Sequence, residues 1–184
     1  MKYFPKLVGS RLYLSPVNVD DAPMYAKWLN DKVVSENIGL DIKMATLESV
    51  RKWLNKNQNN YNFAIVLKEN DELIGGCGFK EIDMVHRNGE LEIFIGNEEN
   101  RGQGYGKESI KLLLEYGFNN LNLNNIMFKV YSFNTKAIKV CESLGFKKLG
   151  TRHKSHYFKG KFYDEVLMEI LKEEYNEIEP FIYV

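Results

Sequence analysis

A glycine-rich stretch in the middle of the chain has the residue types of an anion-binding loop. It reads Arg101-Gly102-Gln103-Gly104-Tyr105-Gly106-Lys107. The first turn of a helix has free backbone N–H groups and the positive end of the helix dipole, and glycines let a phosphate come close to the backbone. The spacing therefore predicts a site for a phosphate-containing ligand, with cationic side chains on both sides of it.

Two familiar phosphate-binding motifs do not fit this stretch. The Gly-x-x-x-x-Gly-Lys-Ser/Thr spacing of a Walker A loop is absent, which excludes that type of nucleotide site. The glycines follow a Gly-x-Gly-x-Gly pattern, and no ribose-binding acid follows a second strand, so a dinucleotide fingerprint is excluded as well.

Two acids, Glu90 and Glu92, precede the stretch. They alternate with Leu91 and Ile93, so both side chains lie on one face of a predicted strand. A carboxylate there can accept a proton or attract a cationic group. It can equally belong to a solvated strand face, and the sequence leaves both readings open.

The surrounding elements would position these residues. Apolar residues at helical spacing follow the glycines from Ile110 to Leu121, so we predict a strand, the glycine turn and then a helix. Over the whole chain the patterns predict the order β-α-α-β-β-β-α-β-α-β-β. They favour a single α/β domain over residues 1–184, with a mixed, largely antiparallel seven-stranded sheet and helices on both faces. Trp28 and Trp53 are predicted to pack in its core.

Two segments receive less regular predictions. The segment from about Val33 to Ala45 lacks clear periodicity and is predicted to be irregular and mobile. Residues 147–161 contain Lys and Arg side chains but no Asp or Glu. The basic part of this segment that lies between the last two predicted strands, residues 153–161, is predicted to be a loop. This loop is either solvated or a site for a phosphate of the coenzyme or substrate.

Composition narrows the functional classes. The 184 residues contain 25 Lys and Arg and 25 Asp and Glu, so the overall charge indicates no nucleic-acid or membrane partner. There is no signal peptide and no apolar run that could cross a bilayer. Two cysteines and three histidines show no disulfide framework and no metal-ligand spacing. We therefore expect a reduced, cytoplasmic protein without a metal.

The stretch from Arg101 to Gly106 resembles the Arg/Gln-x-x-Gly-x-Gly/Ala signature of the GNAT superfamily of N-acetyltransferases, in which this loop cradles the pyrophosphate of acetyl-coenzyme A. The segment from Asn134 to Phe146 is similar to the family's Asn-x-x-Ala-x-x-x-Tyr-Glu-x-x-Gly-Phe pattern. The predicted element order is also that of the family. Trp28-Leu29-Asn30-Asp31 and Gly160-Lys161-Phe162-Tyr163-Asp164 resemble the branch that contains ribosomal-protein N-terminal acetyltransferases. Ile82-Asp83-x-x-His86-Arg87 and Glu115-Tyr116-Gly117-Phe118-x-x-Leu121-Asn122-Leu123 resemble its spermidine N-acetyltransferase members.

The resemblance implies roles for further residues. Backbone N–H groups near Phe94 and Ile95 would bind pantetheine and polarise the thioester, because the strand would separate from its neighbour there. Asn134 would contact the coenzyme, or it would only cap a helix. The resemblance favours Glu90 as a residue that contacts the substrate, because acids at that strand position often do so in the family; either acid could receive the amine proton or attract the cationic amine.

Cys141 departs from the family pattern, which has a tyrosine as the general acid at that position. Its thiol could protonate the leaving thiolate, or it could be a packed core thiol on the apolar face of its helix. Tyr131, Tyr157 or water could take the acid's place, and the sequence does not choose among them.

The sequence thus predicts an acetyl-coenzyme A-dependent N-acetyltransferase, with a peptide N-terminus, a polyamine or another small primary amine as acceptor. A homodimer is compatible with this reading. The alternative is a non-catalytic sensor that binds the coenzyme, for which the missing tyrosine is the only argument.

Overall fold

A computed structural model of the chain describes residues 2–40, 43–57 and 61–175. Within these residues the strands are β1 (Leu7–Val8), β2 (Leu12–Pro16), β3 (Asn62–Leu67), β4 (Leu73–Asp83), β5 (Asn88–Ile95), β6 (Asn125–Tyr131), β7 (Lys147–Phe158) and β8 (Lys161–Leu171). The helices are α1 (Ala22–Asn30), α2 (Lys32–Asn37), α3 (Leu47–Asn57), α4 (Tyr105–Glu115), α5 (Thr135–Glu142) and α6 (Lys172–Tyr175). A π-helical turn, Tyr116–Asn120, follows α4 directly.

The strands form one sheet in the order β1-β2-β3-β4-β5-β6-β8-β7. The pairing of β5 with β6 is parallel, whereas β1 with β2, β2 with β3, β3 with β4, β6 with β8 and β7 with β8 are antiparallel. The predicted mixed, largely antiparallel sheet is therefore confirmed. The described residues contain eight strands rather than seven, because the two-residue strand β1 is too short to show a periodic pattern.

The chain divides into two compact units. The first contains the residues up to Gly78 together with Glu92–Leu112. Its core is rich in aromatic side chains, because α1 places the buried Tyr25 and Trp28 three residues apart on one face. Both rings contact Phe94 of β5 edge to face, with ring centroids 5.9 and 6.0 Å apart.

The second unit contains Phe79–Leu91 and the residues from Leu113 onward. Strand β6 alternates between buried and half-buried residues, and β8 repeats this pattern along its antiparallel partner. The buried residues of the two strands are Ile126, Phe128, Val130, Val166, Met168 and Ile170. This period of two is the alternation that the sequence predicts for strands with one packed face.

The glycines of β4 allow unusually close backbone contacts. A Cβ on Gly75 would lie 2.2 Å from the carbonyl oxygen of Phe94, and one on Gly78 would lie 2.4 Å from that of Tyr61. Since real Cβ atoms do not come so close to a backbone oxygen, only glycine fits at these positions without a shift of the neighbouring strand.

Three predictions are wrong in part. Residues 32–37 form helix α2, because the side chain of Asp31 accepts a hydrogen bond from Val34 N at 3.0 Å and caps the helix start. Trp53 is 38% exposed and lies at the rim of the core, while Trp28 is buried as predicted. The basic segment 153–161 belongs almost entirely to β7 and β8, which are joined by a tight turn at Lys159 and Gly160 with positive φ angles.

Candidate active site

The glycine stretch lies between the end of β5 and the start of α4, as predicted. Gly102 and Gly104 have φ angles of +76° and +86°, which favour glycine. A Cβ on Gly102 would meet no heavy atom within 4 Å, so the backbone is open there. Glu108 N–H donates to Gly104 O at 3.1 Å and begins the helix, which leaves the preceding N–H groups of the first turn available to an anion.

Arg101 ties this loop to the end of β5. Its guanidinium donates to the carbonyl oxygens of Ile95, at 3.2 Å, and Gly96, and it forms an ion pair with Asp31 at 3.2 Å. The pKa of Asp31 is lowered, first by the backbone hydrogen bond from Val34 and also by Arg101. Arg101 therefore supports the loop through these contacts, and its predicted role as a phosphate ligand stays a prediction.

The sequence analysis missed Arg11, which also contacts the loop. Its Nη1 donates to Gln103 O at 2.8 Å, and its Nε donates to the carboxylate of Glu108 at 3.0 Å. Arg11 stands 92 positions before Gln103 in the sequence and belongs to no motif, so no signal in one sequence connects the two residues.

Strand β5 continues beyond its ladder with β6. The parallel ladder runs from Asn88↔Asn125 to Leu91↔Phe128, whereas β5 itself ends at Ile95. The ladder thus ends before Phe94 and Ile95, the residues at which the family resemblance implies separation. That their N–H groups bind the coenzyme stays a prediction.

Glu90 is buried and held by two lysines. Only 7% of the residue is exposed, and its two carboxylate oxygens lie 3.7 Å from Lys80 Nζ and 2.5 Å from Lys129 Nζ. Its hydrogen bond to Lys129 is the main reason why the pKa of that lysine is raised. A substrate amine would have to compete with both ammonium groups for the Glu90 oxygens.

Glu92 occupies the same strand face, two residues closer to Phe94, and is half-buried. Burial raises the pKa of the Cys77 thiol well above its usual value, and the charge of Glu92 raises it further. Glu92 is therefore close enough to Cys77 to act on it electrostatically. Of the two predicted acids, Glu90 lies within the β5–β6 ladder, whereas Glu92 is the first residue beyond its last pair, Leu91↔Phe128.

Asn134 and Cys141 lie at the start and near the end of α5. The Asn134 side chain accepts a hydrogen bond from Ala137 N at 3.2 Å, so it caps the helix. Cys141 is 1% exposed, and burial, with a smaller contribution from Glu142, raises its pKa to about 12. The cap and the packed thiol are the structural roles that the sequence left open for these residues, while their functional roles stay predictions.

Residues 2–40, 43–57 and 61–175 contain neither a metal-binding cluster nor a membrane-spanning helix. They contain no group of three or more His, Cys, Asp and Glu side chains that could hold a metal ion. In the same ranges, no helix is long and apolar enough to cross a membrane.

The sequence of this chain is similar to those of known acetyltransferases. The family model described as an acetyltransferase (GNAT) domain matches residues 11–147. An uncharacterized N-acetyltransferase, p20 of Bacillus licheniformis, is 33% identical over 175 residues, which is 92% of this chain and 97% of that protein. The spermidine N(1)-acetyltransferase of Vibrio cholerae is 34% identical over 103 residues, or 56% of this chain and 59% of that protein.

A solved structure shows the same fold. The crystal structure of spermidine N-acetyltransferase from Vibrio cholerae in complex with CoA and spermine has a TM-score of 0.81 and 26% identity, and it covers 90% of this chain and 98% of that one. The family match extends over the glycine loop, both acids of β5 and helix α5. The chain therefore belongs to the GNAT family of acetyltransferases.

Proposed function

We propose that this enzyme binds acetyl-coenzyme A at the glycine loop and transfers the acetyl group directly to a primary amine. The observation that carries the proposal is the open loop at the start of α4, where Gly102 and Gly104 have positive φ angles and Gly102 has no neighbour that blocks an anion. Backbone N–H groups and the helix dipole would hold the pyrophosphate there. Phe94 and Ile95, in the same unit, would hold the pantetheine and the thioester with their backbone groups.

The reaction forms one C–N bond and breaks one C–S bond. The neutral amine attacks the carbonyl carbon, the negative charge on the carbonyl oxygen is stabilised by backbone N–H groups, and the thiolate then leaves. The proton that the amine loses is balanced by the proton that the thiolate gains. Holding both reactants next to each other supplies a large part of the rate acceleration.

Glu92 is our candidate for the group that takes the amine proton, directly or through water. An alkylamine with a pKa of about 10.4 is mostly protonated at neutral pH, so a proton acceptor accelerates the reaction. Glu90 is the weaker candidate because Lys80 and Lys129 already contact its oxygens. Glu92 lies two residues closer to the proposed thioester position.

Cys141 is not our candidate for the acid that protonates the thiolate. A thiol with a pKa of about 12 holds its proton too tightly to give it readily to a leaving thiolate, whose ordinary pKa is about 8.5. Tyr157 is 61% exposed and packs against Phe162, while Tyr131 stacks on His156 with ring centroids 4.0 Å apart. We propose that water delivers this proton.

The acceptor proposed here is a class, a peptide N-terminus, a polyamine or another small primary amine. The spermidine acetyltransferases among the similar proteins support an amine acceptor, and the family supports acetyl-coenzyme A as the donor. We infer that the reaction takes place in the cytoplasm, since both cysteines are free and buried, as is usual in a reducing compartment.

A matched pair of glycines tests the loop assignment. Gly102 and Gly160 have φ angles of +76° and +77°, and a Cβ on either would meet no heavy atom within 4 Å. Gly102→Val and Gly160→Val therefore introduce the same backbone strain. We expect Gly102→Val to weaken coenzyme A binding at least about tenfold, whereas Gly160→Val leaves it unchanged.

Calorimetric titration with coenzyme A measures both affinities, and circular dichroism confirms that each variant is folded. Equal affinities in the two folded variants would contradict a phosphate site at the loop. An assay of acetyl transfer to a panel of amines then separates an enzyme from a sensor, because a sensor binds the coenzyme without turnover.

A further inference from the structure

Arg11 lies between β1 and β2 and connects two parts of the glycine loop. Its side chain is half-exposed, although the residues that follow it in β2, Leu12 to Ser15, are buried, and it belongs to the same unit as the loop. Its guanidinium has hydrogen-bonding partners in two directions. One direction leads to the first turn of α4, and the other leads to the peptide that precedes this turn.

The first partner is Glu108, in the first turn of α4. Its carboxylate is only 7% exposed and accepts three hydrogen bonds, from Ser10 Oγ at 3.0 Å, Arg11 N at 2.8 Å and Arg11 Nε at 3.0 Å. Glu108 therefore fixes the backbone as well as the side chain of Arg11. Such a buried carboxylate with charged and neutral donors holds the guanidinium plane in one orientation.

The second partner is the carbonyl oxygen of Gln103, which accepts from Arg11 Nη1 at 2.8 Å. The guanidinium also lies over the ring of Tyr105, with Cζ 4.7 Å from its centroid. Its Nη2 would lie 3.2 Å from a Cβ on Gly104. Arg11 thus packs against one side of the Gln103–Gly104–Tyr105 backbone.

The direction of the Gln103 carbonyl determines where the next N–H group points. The described peptide bonds are all trans, and in a trans peptide the C=O and N–H vectors are opposed. When Arg11 holds the carbonyl of Gln103, the N–H of Gly104 in the same peptide points away from Arg11. It is then directed to the side of the loop that an approaching phosphate can reach.

We propose that Arg11 is a positioning residue for acetyl-coenzyme A, which acts by fixing the Gln103–Gly104 peptide so that Gly104 N–H faces the pyrophosphate. This inference rests on the proposed function of the loop. Arg11 lies on the opposite side of the peptide from the ligand, so it does not contact the phosphate. Glu108 in turn fixes Arg11.

The experiment compares wild type with Arg11→Ala, Arg11→Lys and Arg51→Ala. Arg51 is an exposed arginine of α3, so its replacement by alanine is the control for the loss of one positive charge. Coenzyme A affinity is measured by calorimetry, and the KM values for acetyl-coenzyme A and amine are measured separately. We expect Arg11→Ala to lower coenzyme A affinity about tenfold and to raise KM for acetyl-coenzyme A similarly. The KM for the amine, and all values for Arg51→Ala, should stay within about twofold of wild type.

Arg11→Lys separates positioning from charge. A lysine keeps the positive charge but has a single nitrogen, which cannot replace the fork that reaches both Glu108 and Gln103. We expect it to lose at least about threefold in affinity. We also expect the ratio of wild-type to Arg11→Ala affinity to stay constant when the salt concentration rises from about 0.05 to 0.5 M, because no charge contact with the phosphate is lost.

Several outcomes would overturn the inference. Wild-type coenzyme A affinity in a folded Arg11→Ala protein refutes the positioning role while leaving the proposed function intact. The same conclusion follows if Arg11→Lys binds as tightly as wild type, or if the ratio of wild-type to Arg11→Ala affinity falls toward one as the salt concentration rises. Failure of wild type itself to bind coenzyme A refutes the proposed function as well.

A second measurement guards against misfolding of the alanine variant. Glu108→Gln keeps the side-chain shape but removes the charge that holds Arg11, and we expect it to weaken coenzyme A binding about threefold. Amide hydrogen exchange at residues 102–106 should be faster in this variant without the ligand, at a temperature well below its thermal midpoint, where the variant is still folded. Unchanged exchange together with unchanged affinity would refute the positioning role.

Discussion

At the scale of single residues, Glu90 and Glu92 show how surroundings separate two chemically identical groups. They share a strand face, yet Lys80 and Lys129 contact the oxygens of Glu90, while Glu92 is half-buried beside Cys77 and nearer to Phe94. Glu90 is thus an anionic partner of two lysines, whereas Glu92 lies closer along the strand to the proposed thioester position. The two acids should therefore respond differently to the same substitution.

We predict that Glu92→Gln lowers kcat with the amine acceptor at neutral pH by about tenfold or more, because the variant can no longer accept the amine proton. The deficit should shrink at high pH, where free amine is abundant. Pre-steady-state and steady-state rates over pH 6–10 measure this. A flat pH profile at the wild-type rate would argue for water or desolvation instead.

Glu90→Gln should chiefly affect stability. It removes the charge of a buried carboxylate and leaves the partly exposed ammonium of Lys129 without this anionic partner, which should lower stability. We expect a lower urea midpoint and a rate per folded molecule within about threefold of wild type. The same assays on both variants provide the comparison, and a larger rate loss for Glu90→Gln than for Glu92→Gln would reverse our assignment.

Cys141 offers a separate test of packing against acid catalysis. Cys141→Ala removes a buried sulfur and should reduce the free energy of unfolding by about 1 kcal/mol through lost packing. The rate per folded molecule should stay within about twofold, because a thiol with a pKa of about 12 is a poor proton donor. A tenfold fall in kcat with unaltered coenzyme affinity would show that the thiol takes part.

At the scale of elements, the spacing of β4 and β5 depends on a missing side chain. A Cβ on Gly75 would lie 2.2 Å from Phe94 O and 3.1 Å from Ile95 Cα, so a larger residue must push the end of β5 away. Those are the backbone groups that we propose hold the thioester. An error in their position should therefore impair catalysis even in a folded protein.

We predict that Gly75→Ala destabilises the protein by about 1–3 kcal/mol and lowers kcat/KM for acetyl-coenzyme A. Gly150→Ala is the matched control, because a Cβ on that β7 residue meets nothing within 4 Å and the residue has no positive φ angle. Chemical denaturation and steady-state kinetics measure both effects. If Gly75→Ala were as stable and as active as Gly150→Ala, β4 and β5 would be able to move apart without a loss of stability or activity.

The sequence was sufficient for elements with a clear period and a marked end. The alternation of β6, the helix after the glycines and the Asn134 cap all lie where local pattern places them. The glycine loop could be predicted equally well, because its residues are contiguous in the sequence.

The parts that could not be predicted depend on contacts between residues distant in sequence. Nothing near Arg11 or Glu108 indicates that they contact each other, and nothing near Glu90 shows that Lys129 of a neighbouring strand will pair with it. The last two strands are predicted, but residues 153–161 between them are predicted to be a loop, whereas they form the adjoining ends of β7 and β8 and their turn. Aromatic residues of this hairpin in fact pair across strands, as Tyr157 does with Phe162.

At the scale of the whole chain, the ionisable groups set how stability depends on pH. The pKa values of Asp31, Glu108, Asp164 and Glu174 are all lowered in the folded protein. For Glu108, burial opposes this shift, and hydrogen bonds from Arg11 and Ser10 outweigh it. A carboxylate with a lowered pKa stabilises the fold at pH values above its unfolded pKa and loses that contribution as the pH falls.

We therefore predict that the free energy of unfolding changes little between about pH 6 and 9 and falls below about pH 4, where these carboxylates become protonated. The raised pKa of Lys129 adds a loss on the alkaline side, since its contribution disappears as the pH rises through that value. Urea denaturation at a series of pH values measures the profile. Glu108→Gln should reduce the acid-side slope, and an unchanged slope would contradict the role of that carboxylate.

Strand β7 is the last strand of the sheet formed by residues 2–40, 43–57 and 61–175, and no strand among those residues pairs with its outer side, which a strand of another molecule could then meet. Lysines and an arginine are spread along it, and its register with β8 is irregular between Arg152 and His156, where Lys154 has a φ angle of +50°. Like charges repel a second copy, and the kink prevents a long, flat match. The basic residues therefore protect the protein from edge-to-edge aggregation, and replacing them with threonine or valine would be expected to cost solubility before it costs activity.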